Sequence, residues 1–396
     1  MNQARSMTNR FYSLDVFRGA TVAFMILVNN AGNSDYIYEP LEHASWHGWT
    51  PTDLVFPFFL FAAGNALAFV IPKMEAAGQG AFLRKTTKRA LIIFGIGFFL
   101  NWFPFVRWTD GHLGFRYWVN PQNPEYGVRI LGVLQRIAIC YFCASLVIYY
   151  GKIRGAFFTC CILLFGYWAL CLAFGAPGDP YSLSGYFGTN VDKAVLGVPH
   201  LYRGEHVAFD PEGIASTIPA IVEVIFGYFV GNFILQKGKS YEMLTKLLIT
   251  GCLLVFAGYC WGMLFPINKK IWTSSYVLFT SGLAILLLSI LIYRIEINNQ
   301  RGKWTRFFDV FGKNPLFIYF LSGFIPRLLG LVHWVDKTDE QGKPVYITPL
   351  PWFYEHICKP VSDNLKNGSL LYALCIVAFF WAIAYWLNKR KIYIKV

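Results

Sequence analysis

The chain has 396 residues, of which 56% are hydrophobic and only 14% charged, and its net charge is +13. Soluble domains carry about 25% charged residues, so too few charges remain to cover a soluble surface. Secreted, disordered and ordinary cytosolic classes are excluded, and the composition points to an all-α polytopic membrane protein forming one domain over residues 1–396.

A helix needs about 20 mainly apolar residues to span a bilayer. In chain order the sequence offers about ten such stretches: 17–33, 52–72, 88–105, 129–150, 154–175, 214–235, 246–266, 273–293, 307–331 and 370–388. Many Trp and Tyr residues sit at their ends, as in membrane interface belts. The first stretch follows Arg5, Arg10 and Arg18 and lacks a small-x-small cleavage site, so it reads as an anchor rather than a removed signal. Basic residues concentrate on one set of ends and loops, with clusters at 84–89, 237–246, 294–306 and 389–395. The opposite set, which includes Lys269 and Lys270, is sparser. This asymmetry predicts both termini in the cytoplasm. It also accounts for most of the positive charge without a nucleic-acid partner. The polar stretches 34–51, 106–128, 176–213 and 332–369 become outer connections.

Cysteine chemistry adds little. All nine cysteines except Cys358 fall inside or at the ends of apolar runs, which argues against a disulfide scaffold. Cys140-x-x-Cys143 lacks a second pair or a nearby histidine, so no metal is expected. There is no Walker-type loop to support an ATP-driven pump.

Polar groups within apolar stretches are costly and ask for a reason. Asn29 sits near the outer end of the first stretch and Asp53 opens the second. Gln135 and Arg136 lie in the fourth, Glu223 in the sixth, and Lys313 and Asn314 in the ninth, beside Pro315. An Arg136–Glu223 ion pair is one arrangement that would satisfy two of them. The densest cluster is the first outer connection, with Glu42, His43, Trp46, His47, Trp49 and Asp53 close together. Imidazole can take a proton from an amine or accept an acyl group near neutral pH, and Trp faces can stack on a sugar ring. The same residues also suit an interfacial loop among lipid headgroups, and composition leaves both readings open.

The wording of this cluster is more specific. Ser13-Leu14-Asp15-Val16-Phe17-Arg18-Gly19, then Val28-Asn29, then the run from His43-Ala44-Ser45-Trp46-His47-Gly48-Trp49 to Val55-Phe56-Pro57 closely resembles the heparan-alpha-glucosaminide N-acetyltransferase family. Further matches follow in order at 133–137, 209–214, 266–272, 275–276 and 314–315, so the resemblance runs along about the whole chain. Position 47 is His where the family usually has Asn, and the stretch between Asn29 and His43 is slightly longer than usual. Lysosomal members carry an extra lumenal domain and first span before the region that here starts at Ser13.

The resemblance implies a transmembrane acyltransferase fold. It implies that acetyl-CoA is used from the cytosolic side and that acetyl reaches an amino sugar on the other side. His43 is then the catalytic residue, as base or as acetyl-carrying nucleophile, with Asn29 as its partner and Asp53 orienting it or capping a helix. Candidates for holding the CoA are Arg18, Gln135, Arg136, Lys313 and Asn314, since cations stabilise its phosphates. Trp46, Trp49, Asp210 and Glu212 are candidates for the sugar, although Asp210-Pro211-Glu212-Gly213 would equally cap a helix. The other partners expected are the lipid bilayer of a bacterial inner membrane and a second copy in a homodimer. The acceptor expected is a glucosamine-type sugar or cell-wall glycan. Two rival functions remain. An amino-sugar transporter would use midplane polar residues and broken helices, and an O-acyltransferase would direct the same base at a hydroxyl.

Overall fold

A computed structural model describes residues 11–109 and 112–394. Arg5, Arg10 and Lys395, three of the charges used for orientation, lie outside the described residues. The fold is mostly helical, as expected. Two short antiparallel hairpins depart from the all-α reading: β1 (Val106–Thr109) with β2 (His112–Phe115), and β3 (Trp334–Thr338) with β4 (Pro344–Ile347).

Six helices among the described residues are long and apolar enough to cross a membrane. They are α2 (Val55–Ala76, extended at its start by a turn over Pro51–Leu54), α4 (Val133–Phe174), α6 (Ile214–Lys237), α7 (Tyr241–Trp261), α8 (Ser274–Ile292) and α12 (Leu365–Lys389). The sequence suggests about ten, and local composition explains the difference. α1 (Tyr12–Asn29) is short and carries Asp15 and Arg18. α3 (Gln79–Trp102) has Arg84, Lys85, Lys88 and Arg89 in its first half. The stretch expected as 307–331 is divided into α9 (Lys303–Lys313) and α10 (Pro315–Leu329). The break falls at Asn314, because a residue before proline is pushed out of helical geometry.

α4 is too long for one crossing. Its 42 residues would extend about 63 Å, twice the hydrocarbon thickness of about 30 Å. Lys152 breaks it with φ 51° and ψ −162°, beside Gly151. The two limbs return to one place. Arg136 on the first lies over the Trp272 ring at 5.0 Å, and the Tyr167 hydroxyl on the second donates to the Ile271 carbonyl at 2.5 Å. α4 is therefore a helical hairpin, in line with the expected stretches 129–150 and 154–175.

Glycines bring two helix pairs to backbone contact, as small residues do in membrane bundles. A Cβ on Gly64 of α2 would strike the Val224 carbonyl of α6, and one on Gly227 of α6 would strike the Phe61 carbonyl of α2. α1 and α9 interlock in the same way through Gly19 and Gly312. The largest core cluster runs through α1, α2, α4 and α6. These close approaches fix where the helix ends stand, and the candidate site lies at one set of those ends.

Candidate active site

The connection between α1 and α2 folds around Asp53. Thr50 precedes the turn Pro51–Leu54, and its backbone N–H donates to Asp53 Oδ2 at 3.0 Å. The Thr50 hydroxyl reaches the same oxygen at 3.2 Å, and the Ala44 N–H donates to it at 3.0 Å. The other oxygen, Oδ1, lies 2.7 Å from His43 Nδ1. Asp53 therefore does both things the sequence offered as alternatives: one oxygen starts the helix and the other holds the imidazole. An ionised carboxylate can only accept, so the hydrogen is assigned to Nδ1 and the lone pair is on Nε2, 3.5 Å from Lys269 Nζ. The Asp53 side chain is 1% exposed and that of His43 47% exposed. The result is a buried carboxylate behind an accessible base.

A third group completes the arrangement. Lys269 Nζ lies 3.3 Å from Asp53 Oδ1 and 3.0 Å from His43 Nδ1. It is carried by the connection between α7 and α8, whose shape is set by buried Asn268. The Asn268 side-chain oxygen accepts the Ile271 N–H at 3.0 Å, and the Asn268 backbone N–H donates to the Thr273 hydroxyl at 3.0 Å. The Gly48 N–H donates to the Ile267 carbonyl at 2.8 Å and docks the histidine loop on this connection. The sequence alone places Lys269 in the 266–272 match and on the sparser side of the charge count but gives it no role, because it lies 226 positions from His43.

The remaining residues of the loop form walls. The Trp46 indole N–H donates to the Tyr181 carbonyl at 2.9 Å, its ring packs on Phe209, and the Lys270 ammonium stands 5.7 Å from its centre. Trp49 is exposed, with one edge against Phe279. His47 contacts Asn268 Nδ2 at 3.3 Å, and burial draws its pKa below the usual histidine value. Asp210 and Glu212 both pair with Arg129, which meets Asp210 through two nitrogens at 2.9 and 2.5 Å. Burial works against the Arg129 charge, but the two carboxylates outweigh it and raise the guanidinium pKa.

The catalytic-region profile of the family described as "Heparan-alpha-glucosaminide N-acetyltransferase, catalytic" matches residues 10–258. That is more than half of the chain, and it holds His43, Asp53 and the 209–213 segment. The chain belongs to this family. It is 26% identical to the human heparan-alpha-glucosaminide N-acetyltransferase across 98% of its own length, and 27% identical to the mouse protein across 99%. It spans about three fifths of the length of these curated relatives: 60% of the human and 61% of the mouse chain. With its apolar helices, this member of the heparan-alpha-glucosaminide N-acetyltransferase family is a multi-pass membrane protein.

Asn29 and Gln135 share a polar cavity of about 320 Å³ with Asn30, Asn101, Ser322 and Arg327. Among the described residues no hydrogen bond joins Asn29 to His43. The five residues expected to hold CoA divide between the two ends of the bundle. Gln135 donates to the Ile130 carbonyl. Arg136 donates to the carbonyl oxygens of Pro211 and Gly213 and to Ser216. Both therefore belong to the end that holds His43. Arg136 and Glu223 do not pair, since Glu223 accepts from Thr280 and Ser281 instead. Arg18 is about 16 Å along α1 from Asn29. Its guanidinium donates to the Gly312 carbonyl at 2.9 Å and pairs with Asp15. Lys313 pairs with Asp309 at 2.7 Å. Asn314 bonds the backbone of Ile392 and Ile394. These three gather where α1 meets the α9–α10 break.

An apolar groove of about 560 Å³ lies between these two ends. Its walls run from Phe307, Phe308 and Leu287 past Phe24 to Leu54 and Pro51. Leu54 adjoins Asp53 in the chain, but neither Asp53 nor His43 lines the groove.

Proposed function

We propose that this chain is a transmembrane N-acetyltransferase. It moves acetyl from cytosolic acetyl-CoA to the amino group of a glucosamine-type sugar on the outer side. The observation that carries the reading is the accessible His43 imidazole, oriented by buried Asp53. Acetyl-CoA is multiply charged and does not cross lipid, so an enzyme that acetylates an outer sugar must pass the two-carbon group through its own interior. The groove fits the uncharged pantetheine arm. Arg18, Lys313 and Asn314, which gather at the other end of α1 outside the groove lining, fit the phosphate end. Gln135 and Arg136 pass from the cofactor set to the acceptor side. Asn29, with Gln135, lines the cavity for the sugar, Trp46 and Trp49 offer ring faces, and Glu212 faces the ammonium.

In this reaction the sugar ammonium first loses a proton to solvent. The amine nitrogen attacks the thioester carbon, and His43 Nε2 takes the second proton as the C–N bond forms. The C–S bond breaks, and His43 returns its proton to the departing thiolate. The products are the N-acetyl sugar, free CoA thiol and one proton in solution. Asn29 is a donor for the tetrahedral oxyanion, and one such donor is worth about 3–4 kcal/mol.

The proposed topology has ten crossings when α4 counts as two limbs and α1, α3 and the α9–α10 pair are added. An even number keeps both termini on the cytoplasmic side of the inner membrane, with 1–396 as one domain. The test uses purified protein with labelled acetyl-CoA, with and without glucosamine, for wild type and His43→Ala. Label on the sugar with wild type and none with the variant is expected. Label on the protein without sugar selects an acetyl-histidine route. Transfer to a hydroxyl alone redirects the reading to O-acylation, and an absence of CoA binding refutes it in favour of transport.

A further inference from the structure

Lys269 has no part in the reaction above, yet it touches both members of the His43–Asp53 pair. We propose that Lys269 is a positioning residue: its ammonium holds the Asp53 carboxylate in place and opposes protonation of His43, so that the imidazole remains a neutral base. The proposal rests on the acetyltransferase reading and adds to it the residue that sets the protonation state of the base.

The physical problem is specific. A carboxylate 2.7 Å from an imidazole fixes its tautomer but also favours the imidazolium. A histidine that already holds two protons cannot take one from an amine. The opposing influence must be a cation close to the ring, and Lys269 Nζ is 3.0 Å from Nδ1. Since Nδ1 donates its hydrogen to Asp53, the lysine acts on Nδ1 through charge, and its own hydrogens face Asp53 Oδ1 at 3.3 Å and Nε2 at 3.5 Å. With a neutral ring the three side chains carry no net charge. Protonating the ring leaves an excess positive charge beside a mostly buried ammonium, which is unfavourable in a low dielectric. Burial also draws the Lys269 pKa below the usual lysine range, while Asp53 and Glu212 act the other way.

The other charged groups around His43 are already engaged. Lys270 pairs with Glu205 at 2.7 Å and donates to the Ser45 carbonyl at 2.6 Å. Glu212 is held by Arg129. His47 meets Asn268, and Asp179 faces His47. Glu42, which precedes His43 in the chain, is the exception: it is exposed, and solvent screens its carboxylate. From α8, the Tyr276 hydroxyl donates to the Asp53 backbone carbonyl at 2.5 Å. Lys269 is thus the cation that contacts the pair among the described residues. Buried Asn268 beside it gives the lysine a fixed base.

The experiment compares wild type, Lys269→Met, Lys269→Gln and Lys269→Arg. The first readout is the pH dependence of kcat/KM for acetyl transfer to glucosamine. The second is an NMR titration of carbon-13-labelled histidine, with the His43 signal identified through His43→Gln. It needs neither acetyl-CoA nor sugar. Lys269→Met and Lys269→Gln are expected to move the acid limb and the His43 titration upward by about one pH unit. Transfer then falls about tenfold on the acid limb and recovers towards wild type at alkaline pH. Lys269→Arg is expected to keep the wild-type midpoint. Gln retains a donor to Asp53 without the charge, so it serves if Met prevents folding. An equal loss at every pH, with the titration unmoved, would overturn the proposal. A shifted titration in a protein that transfers no acetyl would instead remove the acetyltransferase reading and leave the role of Lys269 standing.

Discussion

Replacing Asp53 with asparagine tests the central geometry while keeping its shape. The amide oxygen can satisfy only one of the two sides that the carboxylate now serves. If it faces the Ala44 and Thr50 N–H groups, the loop and the helix start survive. The amide NH2 then points at His43 Nδ1 and Lys269. Nδ1 must become an acceptor, the ring hydrogen moves to Nε2, and the catalytic nitrogen is no longer a base. In serine proteases the same carboxylate-to-amide change behind the catalytic histidine lowers kcat about 10⁴-fold. A loss of about a thousandfold or more is expected for Asp53→Asn, which is about 4 kcal/mol at 1.36 kcal/mol per tenfold. Stability should fall less, by about 2 kcal/mol, because one hydrogen bond to a charged acceptor is lost while the backbone bonds remain. The assay is labelled acetyl transfer to glucosamine, run beside thermal unfolding in the same detergent. An Asp53→Asn protein within about threefold of wild-type kcat, at a similar unfolding temperature, would refute the tautomer argument.

The fold carries three further expected outcomes. Gly64→Leu should prevent α2 and α6 from meeting and abolish monodisperse protein on size exclusion, whereas Gly155→Ala, which meets open space, should leave the profile unchanged. Arg129→Ala leaves buried Asp210 uncompensated, so it should cost about 3–5 kcal/mol, read as a lower unfolding temperature. Arg129→Lys should recover only part, since an ammonium cannot reproduce the two-nitrogen contact. Asp192, in the short helix Gly188–Leu196, accepts the Ile214 N–H at 2.8 Å, and burial pushes its carboxyl up to about 7. Its folded value lies above its unfolded one, so its contribution to stability is full at low pH and is lost as pH rises through about 7. The window spans about pH 4–7, with a slope of up to about 1.4 kcal/mol per unit. Asp192→Asn should remove that slope from a series of unfolding temperatures between about pH 5 and 8.

His43 and Asp53 are legible in the sequence because ten residues separate them in one connection, and a loop of that length brings its ends together. Lys269 is not, because it lies 226 positions along the chain and is placed through the packing of α7 and α8. Gln135 and Arg136 show a different limit. Their chemistry suits phosphate, but depth in the bundle decides which ligand they can meet. Both lie in the first turn of α4, at the end that carries His43. The break at Asn314–Pro315 is visible as a dipeptide, although an apolar count carries the expected span straight across it. The bend at Lys152 is legible because Gly151 and two nearby cations interrupt the apolar run. The two β hairpins carry no long alternating pattern, and nothing in the sequence announces them.

The interlocked glycines also bear on how the protein moves. α1 with α9 and α2 with α6 have no soft side-chain layer between their backbones, so neither pair can shear internally without a steric clash. The apolar groove has α1 and α9 residues on one wall and α2 residues on another, with Leu287 of α8 and Leu374 and Val377 of α12 completing its lining. Its width therefore depends on the separation of these two stiff pairs and on the placing of α8 and α12, and widening it moves whole helices rather than single side chains. Such a passage behaves like a sprung clamp.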